Sequence, residues 1–311
     1  MIEVSHLTKR YGTHTAVKDL SFTIPSGQIY GLLGPNGAGK STTMNILTGC
    51  LAASSGEVRI DGVDIFEEPM AAKRRMGYLP EQPPVYMDRT PREYLRFVAG
   101  AKGLAGVGRE LERVMELTGI AEMQNRLIRN LSKGYRQRVG IAQAILGDPD
   151  TIILDEPTVG LDPKQIIEIR ELIQKLGKNK TVILSSHILS EVQAVCGTIL
   201  ILSKGELVAC DTPENLEKRL SDQAAVELEV LAPAREVARI LQTIKTQSLT
   251  ALGEERTRVC VEGKKTELDK LCRELFFLFA QAGTPIVRMV PTHASLEDIF
   301  LELTEGKEEK L

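Results

Sequence analysis

The chain has 311 residues, 42% of them hydrophobic and 26% charged, which suits a soluble globular protein of one large or two ordinary domains. A formal net charge of −3 argues against the global basic field that holds nucleic acid. No apolar run is long enough to span a bilayer, and MIEVSHLTKRYG lacks the apolar core of a secretory signal. Work at a membrane would therefore require docking onto another chain. Cys50, Cys196, Cys210, Cys260 and Cys272 are scattered without a CxxC pair, and read as reduced structural thiols of a cytoplasmic protein. His6, His14, His187 and His293 show no metal-ligand spacing.

Strand-like and helix-like stretches alternate from Met1 to about Leu220. IEVSHL and AVKDLSFTI alternate apolar with polar residues and predict a small antiparallel layer. QIYGLL (Gln28–Leu33) predicts a buried strand, followed by a glycine-rich turn and a helix from Lys40. Between about Pro83 and Gly147 the pattern is helical, with Leu95, Val98, Leu111, Val114 and Leu117 at helix-like spacings. This stretch predicts a helical subdomain inserted into an α/β core. TIILDE (Thr151–Glu156) and TVILSS (Thr181–Ser186) predict further buried strands, with a helix from near Pro163 between them. Apolar strands separated by helices imply a mainly parallel sheet covered on both faces.

A second pattern follows, from residue 221 to 311. AAVELEVLA, RTRVCVEG and PIVRMVP predict strands. PAREVARILQTI, KTELDKLCRELFFLFAQAG and SLEDIFLELT predict helices, and EGKEEKL a solvated tail. The expected organisation is a domain of residues 1–220 and a small α+β domain of residues 221–311. The second carries no phosphate loop, metal-ligand cluster or nucleophile–base pair. It reads as a packing or interface domain, with a small-ligand sensor as the alternative.

Gly34-Pro35-Asn36-Gly37-Ala38-Gly39-Lys40-Ser41 matches GxxxxGK[ST] between a predicted strand and a predicted helix. Its glycines let successive backbone N–H groups turn inward on phosphate oxygens, and the helix aims its positive end at the same anion. Lys40 is expected to neutralise β- and γ-phosphates, Ser41 to ligate Mg²⁺, and Thr42 to add a hydrogen bond. Asp155 and Glu156 end an apolar strand, at the carboxyl edge where such sheets bind ligands. Asp155 is expected to hold Mg²⁺ and Glu156 to polarise the attacking water; two acids capping the next helix is the plainer reading. His187 follows the strand Thr181–Ser186, a position that suggests a γ-phosphate contact orienting the water.

Leu131-Ser132-Lys133-Gly134-Tyr135-Arg136-Gln137-Arg138 resembles the LSGGQ signature of ABC ATPases. The order of phosphate loop, signature, acid strand, Gly160-Leu161-Asp162 and His187 is also similar to that family. The resemblance covers about residues 1–220. It implies a P-loop NTPase core of the RecA-like kind that binds and hydrolyses ATP with Mg²⁺. It also implies a D-loop at Gly160-Leu161-Asp162 and adenine stacking on Tyr11. It implies a head-to-tail dimer, in which Ser132, Lys133, Gly134 and Tyr135 reach the ATP held by the other subunit's phosphate loop. The family's Q-loop glutamine, a metal contact and lever toward the membrane partner, aligns best with Glu81, with its neighbour Gln82 as the alternative.

The chain departs from the pattern in LSKGY for LSGGQ, in Glu81, and in Val159 where a small residue is usual. GYLPE–PP, LSKGYRQRVG and SLEDIFLELT resemble the ABC-2 type exporter ATPases. That likeness implies a separate membrane permease, pairing with itself or a paralogous cassette, and a place on the inner face of the membrane. A soluble ABC ATPase acting on ribosomes or DNA is the alternative. It is disfavoured by the single cassette, the slightly acidic charge and the absence of long coiled coils. A P-loop kinase or GTPase would leave LSKGYRQR and His187 unexplained.

Overall fold

A computed structural model describes residues 1–219, 223–242 and 244–293, with Phe300 and Thr304. These residues form two compact units. The first holds Met1–Thr212 with Thr304, and the second lies within Pro213–Glu302. The contacts thus divide the chain nearer Thr212 than Leu220. Thr304 falls with the first unit, where it is buried and its carbonyl accepts from Ser203 Oγ at 3.1 Å.

The first unit begins with β1 (Ile2–Tyr11), β2 (His14–Ile24), β3 (Ile29–Leu33), α1 (Lys40–Leu47), β4 (Ser55–Ile60) and β5 (Val63–Asp64). It continues with α2 (Pro69–Arg74), β6 (Met76–Leu79), α3 (Pro91–Ala101), α4 (Val107–Leu117) and α5 (Lys133–Ile145). It closes with β7 (Thr151–Leu154), α6 (Pro163–Gly177), β8 (Thr181–Ser186), α7 (Leu189–Val195), β9 (Thr198–Ser203) and β10 (Glu206–Asp211). An antiparallel sheet runs β2-β1-β4-β5, as the alternating pattern predicts. A second sheet runs β10-β9-β3-β8-β7-β6. All its pairs are parallel except β10 on β9.

The central strands β7 and β8 are buried at every position, which is why their runs of Ile, Val and Leu do not alternate. Helices α1, α5, α6 and α7 pack against this sheet. One core joins both sheets, with Ile2, Val4 and Ile60 from the first meeting Leu32, Ile153, Ile183 and Leu200 from the second, and Met44 of α1 beside them.

Residues 83–147 hold α3, α4 and α5 and no strand. Helix α3 starts where its sequence says it should. Thr90 and Glu93 form a reciprocal capping box, with Pro91 at the first helical position. Helix α6 starts in the same manner, on Asp162, whose side chain accepts from Gln165 N at 2.9 Å ahead of Pro163.

The second unit holds α8 (Pro213–Arg219), β11 (Gln223–Val230), α9 (Ala234–Ile240), β12 (Thr246–Ala251), β13 (Thr257–Lys264), α10 (Leu268–Gln281) and β14 (Ile286–His293). Its antiparallel sheet runs β12-β13-β11-β14. Val226, Leu228 and Val230 pack with Val259, Val261, Leu275 and Phe279 in a separate core. Strand β12 is an addition to the sequence reading. Its TQSLTA is a mostly exposed edge strand in which only Leu249 packs against the core, so it carries no alternating signal. The helix expected over SLEDIFLELT lies largely outside the described residues.

Candidate functional site

The turn after β3 is built by close contact. At Gly34 a Cβ would fall 2.5 Å from the Leu202 carbonyl oxygen, and at Gly39 it would fall 2.5 Å from that of Ala16. Gly37 and Gly39 also have φ of 81° and 98°, the left-handed region open to glycine. Strands β2 and β9 therefore hold the turn from below. Gly39 starts α1 without a side-chain cap, so the first N–H groups of the helix remain available to an anion. Lys40 is buried, and its Nζ donates to the Gly34 carbonyl at 2.7 Å and to the Pro35 carbonyl at 3.2 Å. Burial draws its ammonium below the usual lysine value, against the pull of Glu156 and Asp155.

The two acids sit at the carboxyl end of β7. Asp155 is 2% exposed and accepts from Ser185 Oγ at 2.5 Å. Burial raises its carboxyl above the ordinary aspartate value, and hydrogen bonds from Ser185 and Ser41 oppose the rise. Glu156 is buried at φ 47°, in a region that a non-glycine residue enters at a cost. Its N–H donates to the same Ser185 Oγ at 2.9 Å. Glu156 Oε1 lies 3.8 Å from Lys40 Nζ, and His187 Nδ1 lies 3.0 and 3.1 Å from the Glu156 carboxylate oxygens.

These groups border one open cleft of about 500 Å³. Asn36, Gly37, Gly39, Lys40, Ser41 and Thr42 line it with Glu156 and His187. Gly34, Ala38 and Asp155 lie buried beneath, and Pro35 is half-buried. Tyr11, 49% exposed at the end of β1, lines the cleft too, with Lys9 Nζ 5.2 Å from its ring centre. Of the two candidates after β6, Glu81 lines the cleft and Gln82 does not.

Ser132, Lys133, Gly134 and Tyr135 do not border this cleft. Ser132 caps α5, accepting from Tyr135 N at 3.4 Å. The Lys133 ammonium rests on Gly160, and a Cβ at Gly134 would fall 2.6 Å from the Gln165 side chain. The signature stretch thus packs on Gly160 and on Gln165 at the start of α6 rather than on its own phosphate loop. Sequence reasoning missed His14, Ala16 and Ser185. The first two reach the cleft because β2 pairs with β1, Tyr11 facing His14 in register. Ser185 faces the acids because β8 lies beside β7.

The family model for ABC transporters matches residues 17–159. The ABC transporter ATP-binding protein YhcH of Bacillus subtilis is 35% identical over 320 residues, spanning 99% of this chain and 98% of that one. A bacitracin transport ATP-binding protein of Bacillus licheniformis is 34% identical over 309 residues, spanning 98% of each. Among solved structures, the dimeric ATP-binding cassette MJ0796, in a post-hydrolysis state with ADP and Pi, is 26% identical with a TM-score of 0.62. That match covers 68% of this chain and 98% of that one. The order of motifs, the parallel sheet and these likenesses agree: the chain belongs to the ABC transporter family, as an ATP-binding and ATP-hydrolysing subunit.

Proposed function

We propose that this ATPase drives export through a separate membrane permease, and that its chemistry takes place in the cleft between Tyr11 and His187. The observation that carries the reading is the meeting of Lys40, Glu156 and His187 within 4 Å contacts at one end of that cleft. The phosphates lie against the loop N–H groups and Lys40, and adenine stacks on the exposed Tyr11 ring.

Ser41, Asp155 and Glu81 supply oxygen donors, the ligand type that Mg²⁺ takes. Ser41 and Glu81 line the cleft, and Asp155 lies buried at its base. Mg²⁺ shares its ligand shell with substrate phosphates in such sites. Bound there, Mg²⁺ would neutralise charge on the β- and γ-phosphates. Glu156 holds and polarises the attacking water, and His187 orients it and contacts the γ-phosphate.

A signature stretch remote from its own phosphate loop suits a head-to-tail pair. In that pair Ser132, Lys133, Gly134 and Tyr135 close over the partner's ATP, and Gly160-Leu161-Asp162 lies at the joint. Glu81 connects the cleft to the permease side, where Tyr86, Met87 and Phe97 are exposed. No helix among the described residues is long and apolar enough to cross a membrane. On this reading the permease holds the chain at the inner face of the membrane. Likeness to a bacitracin transport protein supports export of an antibiotic-like compound.

Glu156→Gln is the direct test. It removes the carboxylate and keeps the shape, so turnover falls by about a hundredfold or more while ATP binding persists. Turnover at the wild-type rate would remove Glu156 from the chemistry.

A further inference from the structure

Glu191 is a buried carboxylate that the chemistry above does not use. It lies in the first turn of α7, 6% exposed. Two hydroxyls donate to its Oε2. One is Thr158 Oγ1, and the other is Ser186 Oγ at 3.1 Å. Both donors are buried, at 5% and 0% exposure. Ser186 Oγ also accepts from Ile188 N at 3.0 Å, so this hydroxyl bridges the residues on either side of His187.

The two donors belong to different segments. Thr158 is two residues beyond Glu156, and Ser186 directly precedes His187. One carboxylate oxygen therefore ties together the segment that carries the proposed base and the segment that carries the proposed phosphate contact. Hydrogen bonds to a carboxylate are about twice as strong as neutral ones, and burial shields them from exchange with water. The Glu156 conformation gives the tie a purpose. A residue at φ 47° relaxes unless its surroundings over-determine it. Ser185 holds the Glu156 backbone on one side, and the bond from Thr158 to Glu191 holds the following turn on the other.

We propose that Glu191, through Thr158 and Ser186, is a positioning residue that sets the distance between Glu156 and His187. The proposal rests on the roles given to those two residues above. A shift of about 1 Å in such an alignment costs up to about a hundredfold in rate. Substrate affinity is spared, because Lys40 and the phosphate loop make no bond with Glu191 or Thr158.

The test measures ATPase kinetics and ATP affinity of the full chain carrying Thr158→Val, Thr158→Ser, Glu191→Gln and Glu191→Ala, beside Glu156→Gln and His187→Ala. Thr158→Val keeps the shape and loses the hydroxyl, so kcat falls about tenfold to a hundredfold with KM for ATP and ATP affinity unchanged. Thr158→Ser restores kcat to within about threefold of wild type, and Glu191→Gln, which still accepts both bonds, loses less than Glu191→Ala. Wild-type kcat in Thr158→Val, an equal loss of ATP affinity and kcat, or failure of Thr158→Ser to rescue would overturn the positioning role. If Glu156→Gln and His187→Ala both turn over normally, the reading of the cleft itself falls instead.

Discussion

At the scale of single residues, the site is a set of charges held where solvent alone would not leave them. Lys40 is buried among carbonyl oxygens with a carboxylate 3.8 Å away, so its charge is poorly hydrated and available to a polyanion. Lys40→Ala should weaken ATP binding by roughly tenfold to a hundredfold, the value of about 1.5–3 kcal/mol for a charge-assisted bond. Equilibrium binding of a fluorescent ATP analogue would measure it, and unchanged affinity would contradict the loop's role. Lys40, Ser41, Asp155 and Glu156 were legible in the sequence because their motifs fix spacing along the chain. Ser185 was not, since its relevance comes from the pairing of β7 with β8, and no spacing records which strands become neighbours. The sequence aligned the Q-loop position best with Glu81 and left its neighbour Gln82 as the alternative. Only the turn after β6 puts the first at the cleft and the second away from it.

At the scale of elements, a close approach of the phosphate loop to β2 decides function. Gly39→Ala would place a side chain at φ 98° and 2.5 Å from the Ala16 carbonyl. The left-handed conformation alone costs about 1–2 kcal/mol, and the clash would push the loop off β2. Thermal unfolding should show a loss of that size or larger, and ATP binding should fall with it. A variant as stable and as tight as wild type would show that the loop does not depend on this contact.

The helical subdomain offers a second test. Tyr94 of α3 is buried, bonds Gln143 of α5, and lies 3.2 Å from the Pro84 carbonyl, fastening the loop after Glu81 to two helices. Burial pushes its phenol up to about 12 from an ordinary 10.0. A raised folded value means this stability is complete below about pH 10 and is lost as pH climbs toward 12. Tyr94→Phe should therefore flatten the fall of unfolding free energy across that window, and an unchanged slope would count against the assignment. Apolar residues at helical spacing, such as Leu95 and Val98, made α3 readable from sequence, and the stretch from near Pro163 made α6 so, whereas the exposed edge strand β12 had no periodicity to betray it.

At the scale of the whole molecule, the cassette lies within residues 1–212, and Thr304 returns to it through Ser203. The sequence displayed two patterns of elements but not that return, because one hydrogen bond between residues far apart leaves no local trace. A chain truncated after Leu220 retains every residue of the cleft and should still bind ATP. It should pair or join the permease more weakly, as sedimentation and membrane copurification would show; assembly equal to full length would leave residues 221–311 without an interface role. The central claim is that two such chains close head to tail over ATP, with Ser132–Tyr135 of one facing the phosphate loop of the other. Light scattering of Glu156→Gln measures this most directly. With Mg²⁺ and ATP the account predicts a doubling of mass, reversed when Gly134→Asp is added to crowd the signature against Gln165 and the nucleotide. A Glu156→Gln protein that binds ATP and stays monomeric at every concentration would contradict it.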